Sequence, residues 1–329
     1  MNGMRTRWLG RYEGEVARIF EEAADGLLPL PSRLADKGRR MLKRFRPLGA
    51  SRDGEGGGTN YICFLLPLWL KEQTGCGDEL CRSLAIGNLY AMLHFFLLDD
   101  VMDADASADP VETRQALALG QLLHDGFRRR YGRYFPPHSP LWDRYETYLA
   151  DWAYAVTEEG RQAAEPADAS SLARKSAPVK LCAAGMLLLS GGEKKLAQLE
   201  ASLDLVLATL QLSDDWMDWR DDLAEGGEKR NAFLTLVRRT LEWPPGRALD
   251  ERTVKRAVYR AGCLRRLAQI SQENQAKLTN FGAVPGDLLA FHQDIVSGLE
   301  KEALEAEALT ESLATEGGLS ALLSNLANK

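Results

Sequence analysis

Three observations predict an all-α fold. Apolar residues recur at i, i+3 and i+4, leucine and alanine are abundant, and alternating runs of Val, Ile and Thr are nearly absent. The spacing predicts helices at about 4–25, 32–46, 59–73, 77–102, 110–130, 139–159, 170–190, 194–222, 230–242, 250–275 and 284–313, with a short one near 318–327. Breaks fall at turn-forming chemistry: the Ser51–Gly58 loop, Pro136-Pro137, Gly191-Gly192, Gly226-Gly227 and Pro244-Pro245-Gly246. The polar stretch Glu165–Ser170 supplies an N-cap candidate for the helix that follows it. No linker separates two cores and no short repeat is visible, so residues 1–329 read as one large helical domain, its first 55 residues forming N-terminal helices.

Composition narrows the function. Hydrophobic residues make up 45% and charged residues 27%, ordinary for a globular protein. A net charge of -6 argues against nucleic acid as a partner, since phosphate backbones require a basic surface. The five cysteines form no CxxC and the four histidines no HExxH, which argues against structural zinc and fits a reduced, cytoplasmic setting. The N-terminus shows no signal-peptide pattern, and the most apolar stretch, Leu84–Leu98, is interrupted by Asn88 and His94 before it ends in acids, so no transmembrane segment is expected. One segment runs against the overall charge: Arg33, Lys37, Arg39, Arg40, Lys43, Arg44 and Arg46 make 33–46 strongly basic. It reads as a solvated helix face or, alternatively, as a contact for a membrane surface or a partner.

Two acidic motifs carry the chemistry. Asp99-Asp100-Val101-Met102-Asp103 and Asp214-Asp215-Trp216-Met217-Asp218 both read DDxxD, and Asp222 continues the second. Positions i and i+4 share a helix face, so Asp99 projects with Asp103, and Asp214 with Asp218 and Asp222. A single DDxxD is often a solvated surface. Two that end apolar helices require pairing or metal. Hard oxygen donors with few other ligands nearby point to Mg²⁺, which is commonly held by one or two carboxylates plus substrate phosphates. Two such sites suggest a diphosphate clamped by metal ions from both sides.

At these residues the chain resembles the class I isoprenoid superfamily, the trans-isoprenyl diphosphate synthases and terpene synthases. Gln211, separated by two residues from Asp214-Asp215, together with Asp218 and Asp222, matches the register of that family's second motif. Ala173-Arg174-Lys175-Ser176 is similar to its Lys-Thr/Ser step, Cys182–Gly185 to the small-residue stretch after it, and Lys229-Arg230 to its basic residues beyond the second motif. The resemblance spans roughly Thr59 to Leu236. It implies an all-α bundle around a central cavity, usually as a homodimer, that takes a prenyl diphosphate substrate with three Mg²⁺ ions. The implied metal ligands are Asp99, Asp100, Asp103, Asp214, Asp215, Asp218 and Asp222. Arg174, Lys175, Lys229 and Arg230 would hold the diphosphate. His94, Phe95, Phe96, Gln211, Trp216 and Trp219 would line the substrate pocket, where aromatic faces stabilise a carbocation. Core packing is the alternative for each aromatic, and a hydrogen-bonded core histidine the alternative for His94.

The chain departs from the elongating members of that family. Where they carry Gly-Gly-Lys-Arg-x-Arg-Pro for a second diphosphate, Gly56–Phe64 keeps the glycines and lacks the cations. Where they carry an Arg-Arg pair after the first motif, this chain has Asp105, Asp109 and a single Arg114. One ionisation site is therefore expected and the second opposed by charge, the pattern of a terpene synthase. A prenyltransferase using Arg114 and the 33–46 cations, or prenylating a non-diphosphate acceptor, is the alternative. A non-catalytic partner subunit is a third reading, opposed by both intact motifs.

Overall fold

The computed structural model describes residues 8–47, 60–104, 109–282 and 284–315, and all secondary structure among them is helical. A 3₁₀ turn, Gly10–Tyr12, leads into α1 (Glu13–Asp25), followed by α2 (Ser32–Phe45), α3 (Tyr61–Thr74), α4 (Asp78–Met102), α5 (Pro110–Gly132) and α6 (Leu141–Thr157). Then come α7 (Ala169–Ala173), a 3₁₀ segment (Arg174–Lys180), α8 (Leu181–Leu189), α9 (Leu196–Ala224), α10 (Ala232–Thr240), α11 (Glu251–Ala261), α12 (Cys263–Thr279) and α13 (Gly286–Thr315). The helix expected near 318–327 and the Gly56–Gly58 step lie outside the described residues.

Two expected helices are divided. The 170–190 stretch splits because Arg174–Lys180 winds as 3₁₀ around Pro178, which has no N–H for an α-helical bond. The 250–275 stretch breaks at Gly262, whose φ of 68° closes α11 in the left-handed conformation. Starts obey side-chain chemistry. Asp109 caps α5 by accepting from Val111 N at 2.8 Å, with Pro110 at the first helical position, and Asp168 caps α7 by accepting from Ser171 N at 3.1 Å.

The chain divides into two compact units, each assembled from separated stretches. Unit 1 comprises 1–148, 178–197 and 285–288; unit 2 comprises 149–177, 198–284 and 289–329. Unit 1 is organised around α4, which packs on α3 and α5. Leu84, Leu89, Leu93 and Leu97 of α4 are buried with Phe64 and Leu66 of α3 and Tyr131 of α5. Gly87 lets α5 approach: a Cβ there would sit 2.9 Å from the Tyr131 ring. Asn88, which interrupts the apolar run, is buried and satisfied. It accepts from the Tyr131 hydroxyl at 2.6 Å and donates to the Cys63 carbonyl at 2.8 Å, tying three helices together. By length and composition α4 would cross a membrane, yet 67% of its apolar window is buried within the protein, as in the central helix of a globular core.

Unit 2 has its own core, in which Leu212 and Trp219 of α9, Phe233 and Val237 of α10, Val254 of α11, Leu264 and Leu267 of α12 and Leu299 of α13 pack together. Beside it His292 is fully buried between Thr209, whose Oγ1 lies 2.9 Å from Nε2, and the Gln275 amide oxygen at Nδ1. Burial pushes this imidazole down to about 4. The unfolded chain therefore binds a proton between pH 6.5 and 4 that the folded chain excludes. The stability that neutral His292 contributes is complete above about pH 6.5 and falls as pH drops toward 4, by on the order of 3 kcal/mol. Denaturant midpoints measured across this range should fall on the acid side, and the fall should shrink in His292→Gln; an unchanged slope would contradict this role.

Candidate active site

The second acidic motif occupies the last turns of α9. At about 100° per residue, Asp218 and Asp222 lie about 40° and 80° around the axis from Asp214, whereas Trp216 and Trp219 lie about 160° and 140° away. The structure agrees with this geometry. Trp219 is buried in the unit 2 core, and Trp216 sets its ring edge-on to Phe233, centroids 4.9 Å apart, while donating its indole N–H to Glu302. Both tryptophans serve packing on the side of α9 away from Asp214.

Each acid has its own surroundings. Asp218 is exposed, and its carboxyl is held above the usual carboxylate range first by partial desolvation and then by the charges of Asp222 and Asp221. Asp222 accepts from the Asn231 amide at 2.7 Å. Asp215 differs: it is 5% exposed, one oxygen accepts from Gln211 Nε2 at 2.7 Å and the other from the Ala232 backbone N–H at 2.6 Å. Burial pushes its carboxyl up to about 7, against the lowering effect of these bonds. Asp215 was expected among the metal ligands. In this structure its oxygens fasten the start of α10 to α9, and Gln211 orients it.

Sequence reasoning missed Asn231, the hub of this arrangement. It is fully buried. Its amide donates to the Asp215 carbonyl and to Asp222, both at 2.7 Å, and its oxygen caps α10 by accepting from Leu234 N at 2.8 Å. An Asn immediately before an apolar-periodic helix is a readable N-cap signal. The two backward bonds to α9 are tertiary and leave no local trace.

The four cations expected to bind diphosphate meet in one place. A cleft of about 330 Å³ within unit 2 is lined by Arg174, Lys175, Lys229 and Arg230, with Gln211 of the acid-bearing helix and Tyr154, Glu158 and Glu159 of α6 and its exit. The Arg174 guanidinium lies 5.2 Å from the Tyr154 ring centroid, and Lys175 pairs with Glu159. Arg230 approaches Glu225 at 3.6 Å and passes so close to Gly227 that a Cβ there would meet its guanidinium at 2.8 Å. Lys229 is positioned by its carbonyl, which accepts from Ala164 N at 2.9 Å.

Unit 1 carries the first motif at the C-terminal end of α4. Asp99, Asp100 and Asp103 are exposed there, and the last turn contains no basic residue. Acids at a helix C-terminus add to its negative dipole end, an arrangement that a bound cation relieves. One and two turns back, His94 places Nδ1 2.9 Å from the Gly120 carbonyl, and burial, reinforced by His124, pushes its imidazole down to about 4. Phe95 packs beside His94 with centroids 5.1 Å apart, and Phe96 packs against Phe45 of α2 at 5.2 Å. Arg114 is exposed on the first turns of α5, and Asp109 is taken up as that helix's cap.

No family model and no curated protein matches this sequence. A solved structure does: geranylgeranyl pyrophosphate synthetase from the archaeon Geoglobus acetivorans, with a TM-score of 0.57 over 88% of this chain and 97% of that one, at 16% identity. The chain shares the all-α fold of that solved synthetase.

Proposed function

We propose that this chain is a Mg²⁺-dependent class I terpene synthase that ionises a linear prenyl diphosphate, cyclises or quenches the resulting carbocation and releases pyrophosphate. The observation that carries this reading is the cleft joining Arg174, Lys175, Lys229 and Arg230 to Gln211 on the helix that bears Asp214, Asp218 and Asp222. A fold shared with a solved geranylgeranyl pyrophosphate synthetase supports a prenyl diphosphate as the substrate.

The donor set suits Mg²⁺. Mg²⁺ prefers hard oxygen donors, takes one or two carboxylates and completes its shell with substrate phosphates and water. In unit 2, Asp214, Asp218 and Asp222 would hold such an ion, and the mutual repulsion of Asp218 with Asp222 and Asp221 is what a cation offsets; in unit 1, Asp99, Asp100 and Asp103 would hold one of their own. When bound, Mg²⁺ supplies Lewis-acid stabilisation of the departing pyrophosphate. The protein's own cations act on the same developing charge: Arg174, Lys175, Lys229 and Arg230 stabilise negative oxygens as the C–O bond lengthens. Glu159 holds Lys175 in place, and the Asp215–Asn231–Asp222 bonds hold the start of α10 and the Lys229-Arg230 loop in register with α9.

Prenyl transfer is the second reading, favoured by the activity named for the solved relative. Ionisation itself is tested by incubating the protein with geranyl, farnesyl or geranylgeranyl diphosphate and following pyrophosphate with Mg²⁺ and with EDTA. Release with Mg²⁺ alone is expected. Silence with all three substrates would sink the reading. Lys175→Ala should lower kcat/KM for this release by about a hundredfold, the scale of losing one charged stabilising donor; unchanged kinetics would remove Lys175 from the site.

A further inference from the structure

We propose that α2 docks the protein on an anionic lipid bilayer. Charge is segregated to an unusual degree. Seven cations against the single acid Asp36 give residues 33–46 a net +6, so in a chain of net -6 the remainder carries -12. The structure places these cations together. Ala35, Gly38 and Leu42 bury one side of α2, and Arg33, Arg39, Arg40, Lys43 and Arg44 are exposed.

A solvated helix face normally interleaves signs at i, i+4. Here Arg33–Lys37, Arg39–Lys43 and Arg40–Arg44 are like-charge pairs at that spacing, each mildly destabilising. Within the protein Lys37 pairs with Glu112 at 2.9 Å and Arg46 with Glu21 at 3.4 Å. Among the described residues, the five exposed cations have no acidic partner within 4.0 Å. The helix is seated closely: a Cβ at Gly38 would meet Leu27 at 2.9 Å, and Phe45 packs at a tilt against Phe96. The result is a preorganised cationic surface whose repulsion an opposed negative surface removes.

A cleft of about 330 Å³ beside α2 specifies which negative surface. Arg39, Arg40, Lys43 and Arg46, with the single acid Asp36, line it over Phe20, Ala24 and Leu42. An apolar floor under a cationic rim suits a phospholipid headgroup with its glycerol and first methylenes. A nucleic-acid backbone offers the phosphate without the apolar part. The inference does not depend on the proposed reaction, and the two fail separately.

The test is co-sedimentation of the full chain with vesicles of phosphatidylcholine alone or with added phosphatidylserine, at low and high salt. Binding is expected only to the serine-containing vesicles, and salt should abolish it. The triple variant Arg39→Glu/Arg40→Glu/Lys43→Glu should bind at least roughly a hundredfold more weakly, since each basic side chain near an anionic leaflet contributes several-fold and reversal doubles the loss. Arg39→Lys/Arg40→Lys should retain binding. Circular dichroism and thermal melts in vesicle-free buffer should match the parent in both variants. Equal binding to neutral vesicles, no binding to either, displacement by millimolar inorganic pyrophosphate, or tighter binding to an RNA oligonucleotide than to vesicles would each overturn the proposal. The last two would reassign the patch to a free anion or to nucleic acid.

Discussion

Asp214→Ala is expected to lower kcat/KM for pyrophosphate release by about a thousandfold or more, with little change in Tm. Asp218→Ala and Asp99→Ala should behave the same way. The separation of activity from stability follows from where these acids lie. Asp218 and Asp99 are exposed and Asp214 is half-buried, and the Asp218 carboxyl feels the charges of Asp222 and Asp221. Removing the Asp218 charge relieves that repulsion, and substitutions at exposed positions usually stay within about 0.5 kcal/mol. Asp215→Ala should do the reverse. It strips the buried Ala232 N–H and the Gln211 amide of their acceptor, so stability falls by about 2–3 kcal/mol and any loss of activity follows from displacement of α10. Thermal melts alongside steady-state kinetics on the four variants check the pattern. Full activity in both Asp99→Ala and Asp214→Ala would mean that the carboxylates are not metal ligands.

The second large effect concerns Asn231. Truncation to alanine removes the α10 cap and leaves the Leu234 N–H, the Asp215 carbonyl and an Asp222 oxygen without their buried partner. A lost cap costs about 1 kcal/mol and each buried orphan group about 1–3 kcal/mol, so destabilisation of about 3–5 kcal/mol is expected. Asn231→Asp is the more informative change. It preserves the cap acceptor but turns both donations into carboxylate–oxygen repulsion, so its stability deficit should shrink as pH falls and one carboxyl keeps its proton. Urea denaturation of both variants at neutral and acidic pH measures this. A deficit in Asn231→Asp that does not vary with pH would contradict the assigned contacts.

The helical architecture was legible because apolar periodicity is a local signal, and the observed helices begin and end near the expected positions. Where expectation and structure part, the cause is equally local but weaker. Pro178 inside an apolar stretch turns α into 3₁₀, and Gly262 stops a helix that the apolar pattern alone would continue. Which carboxylates share a helix face was legible, because i, i+4 spacing dictates it. The contacts each one makes were not. Asp215 sits one residue from Asp214, a step of about 100° around the helix, and whether that direction meets solvent or the Ala232 N–H depends on chain that arrives 17 residues later. The same geometry read backward explains Trp216 and Trp219, whose closeness in sequence to the acids suggested a shared pocket although their angular positions put them on the core side. The meeting of Arg174 and Lys175 with Lys229 and Arg230 was suggested by resemblance, and no feature of the intervening residues encodes it locally.

The proposed reaction ionises one prenyl diphosphate without a second diphosphate as acceptor. The most direct test incubates the protein with Mg²⁺ and geranyl, farnesyl or geranylgeranyl diphosphate, each with and without isopentenyl diphosphate, and identifies the extracted products by mass spectrometry. A cyclic or rearranged terpene hydrocarbon or alcohol, with equimolar pyrophosphate, is expected in the absence of isopentenyl diphosphate. A longer linear prenyl diphosphate, formed only when isopentenyl diphosphate is supplied, would contradict the proposed reaction and establish a chain-elongating transferase.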